Sequence, residues 1–370
     1  MVRFSCEKTL LQQAVNAVSR AVAAKSSIPA LEGILLETEH GLRLSGYNMQ
    51  TGIRTEVEAD IRESGRIVLN AKLFGDMIRR MPDDTVVFDA DEKFNVKLTC
   101  GDTDFEMIGL SANDYPEMPE VDDEYSVTLE QRTLKAMIDQ TSFAVSLNET
   151  RPIHTGVLFE ISDKGLTMVA VDGFRLALRR EPLEHIDGGA FKFVAPGSAL
   201  NEVEKICADT EDMVTVTQGK RHLMFEAGNT QLICRRLEGE FLDYRNAIPT
   251  NNPICLEVDN KTMIESLERV SVVISEKLKS PVRCLFSADK VYMSARTGNG
   301  DARDICPVRG VGQELEIGFN NRYLMDALRY APADTVKMQL NTGISPCIIT
   351  PVDDSDNFIY MVLPVRLKAQ

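Results

Sequence analysis

Side chains able to do chemistry are few in this sequence and lie far apart. The four histidines, His40, His154, His185 and His222, fall in different segments. A zinc site or a Ser-His-Asp triad needs several such groups to converge, and this spacing favours neither. The sequence also lacks the phosphate-loop, GxGxxG, GxSxG and HExxH motifs. It predicts a non-catalytic protein that needs no cofactor and no metal.

Two runs of acidic residues are the remaining candidates for a metal site. They extend over residues 122–124 and 353–356. The second run lacks the glycine and the distal glutamate of a calcium-binding loop. We expect both runs to be solvated turns.

The composition is that of a globular protein, with 44% hydrophobic and 26% charged residues. No apolar run approaches the roughly 20 residues of a membrane span, and the start of the chain lacks the pattern of a signal peptide. The eight cysteines are scattered without a CxxC pair. We therefore expect a cytoplasmic protein with reduced, mostly buried thiols and no membrane partner.

One unit of about 120 residues occurs three times along the chain. Each copy opens with a short strand that leads into an amphipathic helix, with apolar residues three or four positions apart. An acid stands at each helix start, where its carboxylate can cap the helix and favour its dipole. These acids are Glu7, Glu130 and Asp259.

A second helix follows later in each copy, and segments that alternate with period two predict strands around it. The first helices are predicted over residues 7–25, 130–147 and 261–279, and the second over 71–80, 198–208 and 321–331. Two Asp-Tyr-containing connectors, 111–124 and 238–253, suit exposed linkers. These features predict three domains with boundaries at 1–124, 125–250 and 251–370.

Charge is unevenly distributed along the chain. The net charge is −15, and an even excess of acid would argue against nucleic acid, because Lys and Arg neutralise phosphates. The six predicted helices, however, carry a small net positive charge. If they shared one face, that face could contact phosphates loosely and without sequence preference while the acidic remainder repelled DNA. The alternative is that these basic side chains are simply solvated.

Three motifs carry a family resemblance. TMVAVDGFRLAL at 167–178, FLDYRNAIP at 241–249 and YMVLPVRL at 360–367 resemble the β subunit of bacterial DNA polymerase III. The layout of three copies resembles that family along essentially the whole chain. The resemblance implies an α+β fold of three tandem DNA-clamp domains, each with two helices and two antiparallel sheets.

The same resemblance implies a function. Two chains would join head to tail into a closed ring around duplex DNA, with sheet continuing across the interfaces. The ring would tether the DNA polymerase III core and confer processivity, a separate clamp loader would open it, and other proteins with clamp-binding motifs would also bind.

The family's partner-peptide pocket maps by resemblance onto the second and third copies. Apolar side chains would form an anchoring groove, and Arg175 beside a glycine turn could donate to a peptide carbonyl. Its residues are His154, Val171, Gly173, Phe174, Arg175, Leu176, Leu242, Asn246, Ala247, Ile344, Pro346, Met361, Val362, Leu363, Pro364, Val365, Arg366 and Leu367.

This sequence departs from the family pattern in that pocket. His154 stands in place of an apolar residue, and Leu242, Asn246 and Ala247 replace a proline, an arginine and a valine, so an altered peptide preference is expected. Pro364 cannot donate to a sheet and favours an edge strand. The extension 368–370 follows the usual terminal Arg-Leu.

Further positions are assigned to DNA and to dimer closure by resemblance or by their place on a helix. The DNA-contact candidates are Lys25, Lys72, Arg79, Asn148 and Arg151, with Lys8, Arg20 and Lys205 as secondary ones. The second copy has the least basic helices. For the dimer, Phe105 on a first-domain edge strand would meet Val273 and Ile274 near the end of the third-domain helix.

Plainer interpretations stand beside these. VDGFRL is readable as a turn between core strands and YMVLPVRL as a buried final strand. The rival function is an acidic protein-binding scaffold that never surrounds DNA. A sheet-rich hydrolase is the weakest alternative, because converging polar residues are lacking.

Overall fold

A computed structural model describes residues 1–122, 124–183, 186–187, 189–275, 280–353 and 355–367. Asp123, Asp354, His185 and the extension 368–370, which entered the sequence predictions, lie outside these residues. The described chain contains seven helices: α1 Lys8–Val18, α2 Ala71–Arg80, α3 Gln131–Ser142, α4 Gly197–Ile206, α5 Tyr244–Ala247, α6 Asn260–Ser271 and α7 Asn321–Arg329. Within the described ranges, no helix is long and apolar enough to cross a membrane.

The strands are β1 Val2–Glu7, β2 Gly33–Glu37, β3 Leu42–Tyr47, β4 Thr51–Val57, β5 Asp60–Glu63, β6 Arg66–Asn70, β7 Thr85–Ala90, β8 Asn95–Cys100, β9 Thr103–Ile108, β10 Tyr125–Glu130, β11 Gly156–Ser162, β12 Gly165–Val171, β13 Arg175–Glu181 and β14 Ile186–Asp187. They continue with β15 Phe191–Pro196, β16 Met213–Gln218, β17 His222–Ala227, β18 Thr230–Arg235, β19 Ile254–Asp259, β20 Val282–Phe286, β21 Lys290–Thr297, β22 Gly300–Pro307, β23 Arg309–Val311, β24 Leu315–Phe319, β25 Thr335–Leu340, β26 Cys347–Pro351 and β27 Phe358–Val362.

The chain divides into two compact units that cut through the central copy. Unit 1 comprises residues 1–135, 185–188 and 201–236, and unit 2 comprises 136–184, 189–200 and 237–370. Unit 1 contains a five-stranded sheet, β5-β1-β7-β8-β9, and a nine-stranded sheet, β14-β10-β16-β17-β18-β4-β3-β2-β6. Unit 2 contains a nine-stranded sheet, β15-β11-β12-β13-β27-β26-β25-β19-β23, and a four-stranded sheet, β22-β21-β20-β24.

Each nine-stranded sheet joins strands from two neighbouring copies. In unit 1, β18 pairs antiparallel with β4, so that Leu232 lies opposite Ile53. In unit 2, β13 pairs antiparallel with β27, so that Leu176 lies opposite Met361. Because each joint covers two strand edges, it removes unpaired backbone groups that would otherwise invite association.

The helices agree with the predictions in position but not always in length. Helix α2 has the predicted bounds, whereas α6 ends at Ser271 and not at residue 279. Val273 and Ile274 therefore follow this helix instead of lying in it, which corrects the prediction. Helix α1 also ends early, at Val18, because a 3-10 turn over Ser19–Ala21 replaces its predicted continuation.

Helix capping follows the prediction at Asp259 but not at Glu7. The Asp259 carboxylate accepts the Thr262 N–H at 2.8 Å, whereas Glu7 makes no side-chain cap. Asparagines that were not singled out cap α2 and α7: Asn70 accepts the Leu73 N–H at 2.9 Å, and Asn320 accepts the Arg322 N–H at 3.0 Å.

Both connectors are anchored by a buried tyrosine. In unit 1, the Tyr115 hydroxyl donates to the Ser45 carbonyl at 3.3 Å. In unit 2, the Tyr244 hydroxyl donates to a Glu160 oxygen at 2.5 Å. The prediction of exposed linkers is wrong at these positions, because each aromatic ring packs into an apolar cluster.

The cysteines are free thiols, as expected. Seven are buried and Cys255 is half-buried. Burial raises the pKa of the Cys6 thiol to about 12 and that of Cys306 to about 11. These thiols stay protonated and unreactive at neutral pH.

Candidate functional site

Several of the predicted pocket residues meet at the turn between β12 and β13 in unit 2. Gly173 has a φ of 89° there, a left-handed conformation that glycine adopts without strain. The Asp172 carboxylate accepts the N–H groups of Phe174 at 2.9 Å and Arg175 at 3.0 Å. These bonds fix the turn and leave Phe174 59% exposed.

Arg175 ties this turn to helix α7. Its Nε donates to Asp172 at 3.0 Å and its Nη1 donates to Asp326 at 2.5 Å. The guanidinium lies 4.5 Å from the Tyr323 ring centroid, and Phe174 stacks on the same ring at 6.0 Å. With a side chain only 10% exposed, Arg175 holds the turn against the helix.

Beneath the turn lies an apolar cluster that unites three predicted pocket residues. Val171, Leu176 and Met361 are buried in it together with Tyr244, and Leu363 packs against its edge. Leu176 pairs with Val171 on one side and with Met361 on the other. The cluster is therefore a continuous floor across β12, β13 and β27.

The terminal segment leaves this floor along the turn. The Leu363 N–H donates to the Phe174 carbonyl at 2.8 Å, and the Val365 N–H donates to the Gly318 carbonyl at 2.7 Å. Leu367 also lies against Gly318, where an added Cβ would meet its Cδ2 at 2.5 Å. Arg366 is exposed. The segment after β27 is thus held on both sides by backbone bonds.

The prediction that Pro364 lies on an edge strand is wrong. Strand β27 pairs with both β13 and β26 and is a central strand. It ends at Val362, so Pro364 lies beyond its last ladder bond, where no backbone donor is needed. Both plainer interpretations hold as well: VDGFRL is a turn between core strands, and part of YMVLPVRL is a buried strand.

Other predicted pocket residues also belong to unit 2, but within the described ranges the structure does not join them to this turn by a hydrogen bond or ion pair. His154 meets Phe241 edge-on at 5.8 Å, and burial together with Arg151 lowers the pKa of its imidazole. Leu242 is 46% exposed and Ile344 is 80% exposed. Pro346 precedes β26, and Ala247 ends α5 beside Asn246, whose amide donates to Asp243 at 2.7 Å.

Two residues of this site were missed by sequence reasoning. Tyr323 and Asp326 lie on α7, and Asp326 is 151 positions from Arg175 in sequence. No local motif marks such a pair, because it depends on long-range packing. They complete the Arg175 contact and belong to the candidate site.

The DNA-contact candidates are exposed in both units. In unit 1, Lys72 and Arg79 are seven positions apart on α2 and so share one helix face, and Lys25 is exposed in the segment after α1. In unit 2, Asn148 and Arg151 lie in the exposed loop between α3 and β11.

The secondary DNA candidates are engaged in ion pairs. Lys8 contacts Asp83 at 2.8 Å. Arg20 and Lys205 approach the same carboxylate, Glu202, at 4.0 and 2.8 Å. Arg79 is engaged in the same way, with Asp76 at 2.7 Å, so ion pairing does not separate it from the secondary candidates.

The dimer candidates are half-buried and have more exposed apolar neighbours. Phe105 lies on β9, the edge strand of its sheet. Ile108 on the same strand is 74% exposed, and Val272, next to Val273 and Ile274, is 83% exposed. Strand alternation could have revealed Ile108, since it shares a face with Asp104 and Glu106.

Acidic, histidine and cysteine side chains do not gather into a metal site in the part of the chain that the structure describes. Among the described residues, no group of three or more His, Cys, Asp or Glu side chains is placed to hold a metal ion. The Asp353 carboxylate accepts the Ser355 N–H at 3.0 Å, an ordinary turn bond. The described site consists of an apolar floor, a clamped turn and a terminal segment, which suit binding and not reaction.

Comparison with known proteins accounts for nearly the whole chain. Family models of the N-terminal, central and C-terminal domains of the DNA polymerase III beta subunit match residues 2–119, 128–243 and 245–366. The beta sliding clamp of Halalkalibacterium halodurans is 30% identical over 99% of this chain and 100% of its own.

Solved structures agree along the same length. The DNA polymerase sliding clamp from Bacillus subtilis has a TM-score of 0.94 at 27% identity, and it covers 99% of this chain and 100% of its own. The beta subunit from the DNA polymerase of Streptococcus pyogenes has a TM-score of 0.93 at 28% identity with the same coverage.

Proposed function

The chain belongs to the family of the bacterial DNA polymerase III beta subunit, and we propose that it acts as a DNA sliding clamp. It is a non-catalytic processivity factor that surrounds duplex DNA and tethers the replicative polymerase. The observation that carries this proposal is the tandem of three family matches, one to each domain of that subunit and in their order. Its place of action is the cytoplasm, where replication proteins meet the chromosome.

The three domains extend over 1–124, 125–250 and 251–370. The repeated order of strand, helix, strands and second helix supports this division. The two compact units differ from it because sheet pairing crosses each joint between copies, as β18 and β4 do in unit 1. Contacts thus group neighbouring copies, whereas the sequence repeat separates them.

The partner-peptide pocket is built on the turn of Gly173 and Phe174, the apolar cluster and the terminal segment. Exposed Phe174 and half-buried Leu363 offer apolar surface, and backbone groups near it can bond an extended peptide. The partners are the polymerase, the clamp loader and other proteins with clamp-binding motifs. Arg175 acts there first as the tie between the turn and α7, since two carboxylates already hold it.

DNA contact is loose and independent of sequence. Lys25, Lys72 and Arg79 in unit 1 and Asn148 and Arg151 in unit 2 would contact phosphates from exposed positions. Such contacts position a protein without reading bases. A net charge of −15 keeps DNA away from the remaining surface.

Ring closure requires a second copy of the chain. Strand β9 with Phe105 and Ile108 would meet the partner segment of Val272, Val273 and Ile274. Exposed apolar residues on an edge strand favour pairing over solvent exposure.

Solution mass tests this assembly against the rival, an acidic protein-binding scaffold. We expect light scattering to give twice the 41.2 kDa chain mass. Ile108→Lys should shift the protein to monomer, whereas Met213→Lys, at another exposed apolar strand position in unit 1, should leave it dimeric. A wild-type chain that is monomeric at micromolar concentration would contradict ring closure and favour the scaffold.

A further inference from the structure

A second cleft lies under the first connector in unit 1. Its volume is about 590 Å³, and it is enclosed by β2, β3, β4, β6 and residues 115–120. We call it the connector cleft. Pockets of roughly 300–1,000 Å³ hold ligands of drug-like size, so this cleft has room for a few residues of peptide. None of the residues assigned above to DNA, peptide or dimer contact lines it.

One cation in the connector cleft has no directly bonded partner among the described residues. Arg54 on β4 is half-buried, and among the described residues its side chain has no hydrogen bond or ion pair; its Nε is wholly covered. Its two neighbouring arginines each have an acidic partner: Arg43 bonds Glu56 at 2.9 Å, although its own Nε is also unbonded, and Arg66 contacts Glu37 at 2.9 Å. Burial, the largest cause, and the nearby Arg43 lower the pKa of the Arg54 guanidinium, and the attraction of Glu37, Glu56 and Glu120 only partly offsets this.

A polar atom beside Arg54 is also unsatisfied. Ser45 lies directly opposite Arg54 in the β3–β4 ladder, so the two side chains share one face. Ser45 is 2% exposed, and its hydroxyl has no partner within the described structure. Buried polar groups without partners are costly, so this pair requires an explanation.

The internal repeat shows how unusual this pair is. Ser45 in LRLSGY corresponds to Val169 in LTMVAV, and the strand partner of Val169 is Leu178. Both belong to the apolar cluster under the second connector. Unit 1 therefore places a serine and an arginine where unit 2 places a valine and a leucine. The first copy therefore lacks the apolar side-chain contact that the second copy makes at this position.

Two acidic side chains lie at the rim of the connector cleft. Glu117 and Glu120 are exposed on the connector and line the cleft. A plain anion would meet Arg54 but also these two carboxylates. A ligand that carries one acid and one adjacent base satisfies both, because its carboxylate faces Arg54 and its cation faces the glutamates.

We propose that the connector cleft binds a short peptide segment in which a carboxylate side chain neighbours a basic one. Arg54 receives the carboxylate, and Glu117 and Glu120 receive the base. Met118 already packs on Gly52, where an added Cβ would lie 2.4 Å from its methyl carbon. The ligand therefore occupies the polar part of the cleft and leaves the apolar part to the connector. This inference does not rest on the proposed function.

Methyl NMR on the full-length protein tests the site. The probe is the tetrapeptide acetyl-Gly-Glu-Lys-Gly-amide, and the reporter is the Met118 methyl signal, identified by its loss in Met118→Leu. We expect a saturable shift with a dissociation constant of millimolar order or tighter. Replacing either charged residue of the peptide by glutamine should weaken binding roughly tenfold.

Two protein variants and acetate alone distinguish binding of the peptide from its absence and from binding of a simple anion. Arg54→Gln should abolish the saturable shift, whereas Arg62→Gln, an exposed arginine on β5 outside the cleft, should bind normally. No saturable shift in the wild type, or equal binding by Arg54→Gln, would overturn the proposal. If acetate alone produced the same shift at the same concentration, a simple anion site would replace the peptide site.

Thermal unfolding provides a readout that needs no ligand. Arg54→Leu copies Leu178 of the second copy and removes the unpartnered cation. We expect its midpoint to lie above that of the wild type while peptide binding is lost. A lower midpoint would mean that Arg54 is satisfied within the protein and would count against a ligand-binding role.

Discussion

Arg175 shows how one side chain can serve a binding site without being its ligand. Its guanidinium lies between Asp172 and Asp326 and over the Tyr323 ring. The turn it secures positions Phe174 and accepts the Leu363 N–H. If Arg175 were chiefly a peptide ligand, freeing it from Asp326 would preserve or improve peptide binding. If it is a positioning residue, the same change would weaken binding.

Asp326→Asn distinguishes these roles. We expect it to lower affinity for a labelled clamp-binding peptide by roughly tenfold or more, since a charge-assisted bond contributes about 1.5–3 kcal/mol. Fluorescence anisotropy measures the effect. Arg175→Gln should act similarly, and the double variant should lose no more than the larger single loss, because both changes break one tie.

Asp304→Asn is the matched control. Its carboxylate pairs with Arg269 at 2.7 Å and is 24% exposed, against 21% for Asp326. It should leave peptide affinity unchanged. Recovery of binding in Asp326→Glu would show that the charge itself is needed. Unchanged affinity in Asp326→Asn would refute the positioning role, while a dimer that still forms would leave the clamp assignment intact.

Much of the residue-level site was predictable, but its couplings were not. Val171, Leu176 and Met361 were identified through motif resemblance, and the structure brings them into one cluster. The sequence places Tyr244 in an exposed linker because of the Asp-Tyr pair, the proline and the charge content of residues 238–253. Its burial depends on Glu160, which is 84 positions away, and such distant partners leave no local pattern.

At the level of elements, the YMVLPVRL ending at residues 360–367 combines two roles. Met361 and Val362 belong to a central strand, whereas residues 363–367 follow it along the turn. Removing the whole YMVLPVRL ending would therefore delete part of a sheet along with the pocket. A truncation that tests the pocket must therefore remove only residues that follow β27.

Truncation after Pro364 is the appropriate test. It removes the Val365 bond to Gly318 and the Leu367 contact but keeps β27 complete. We expect peptide affinity to fall at least several-fold, with dimer mass and circular dichroism unchanged. Truncation after Ile359 should instead unfold the protein, since it removes buried Tyr360, Met361 and Val362. If the shorter tail bound peptide normally, the terminal segment would have no part in the pocket.

Element positions were predictable because helix and strand periodicities are local. Both ends of helix α2 were predictable, because a strand precedes the helix and Met-Pro follows it. Helix α6 was extended too far, since apolar and lysine residues beyond Ser271 continue a helical spacing. The pairing of β13 with β27 joins residues more than 170 positions apart, and the family resemblance assigned residues of both to one pocket without predicting that the strands pair.

For the whole molecule, repetition and charge support one account. Three copies match the three domains of the family, and the basic side chains of α2 are the proposed phosphate contacts within a strongly acidic chain. Weak contacts alone would not hold such a protein on DNA at physiological salt. Retention must then come from topology, with DNA threaded through a closed ring.

Retention on DNA of different topology is the most direct test. The clamp is loaded onto nicked circular DNA by its loader and separated from free protein by gel filtration in moderate salt. We predict that it stays with the circle and that a single restriction cut releases it within minutes, while blocking both new ends prevents release. Release at the same rate before and after cutting would contradict encirclement.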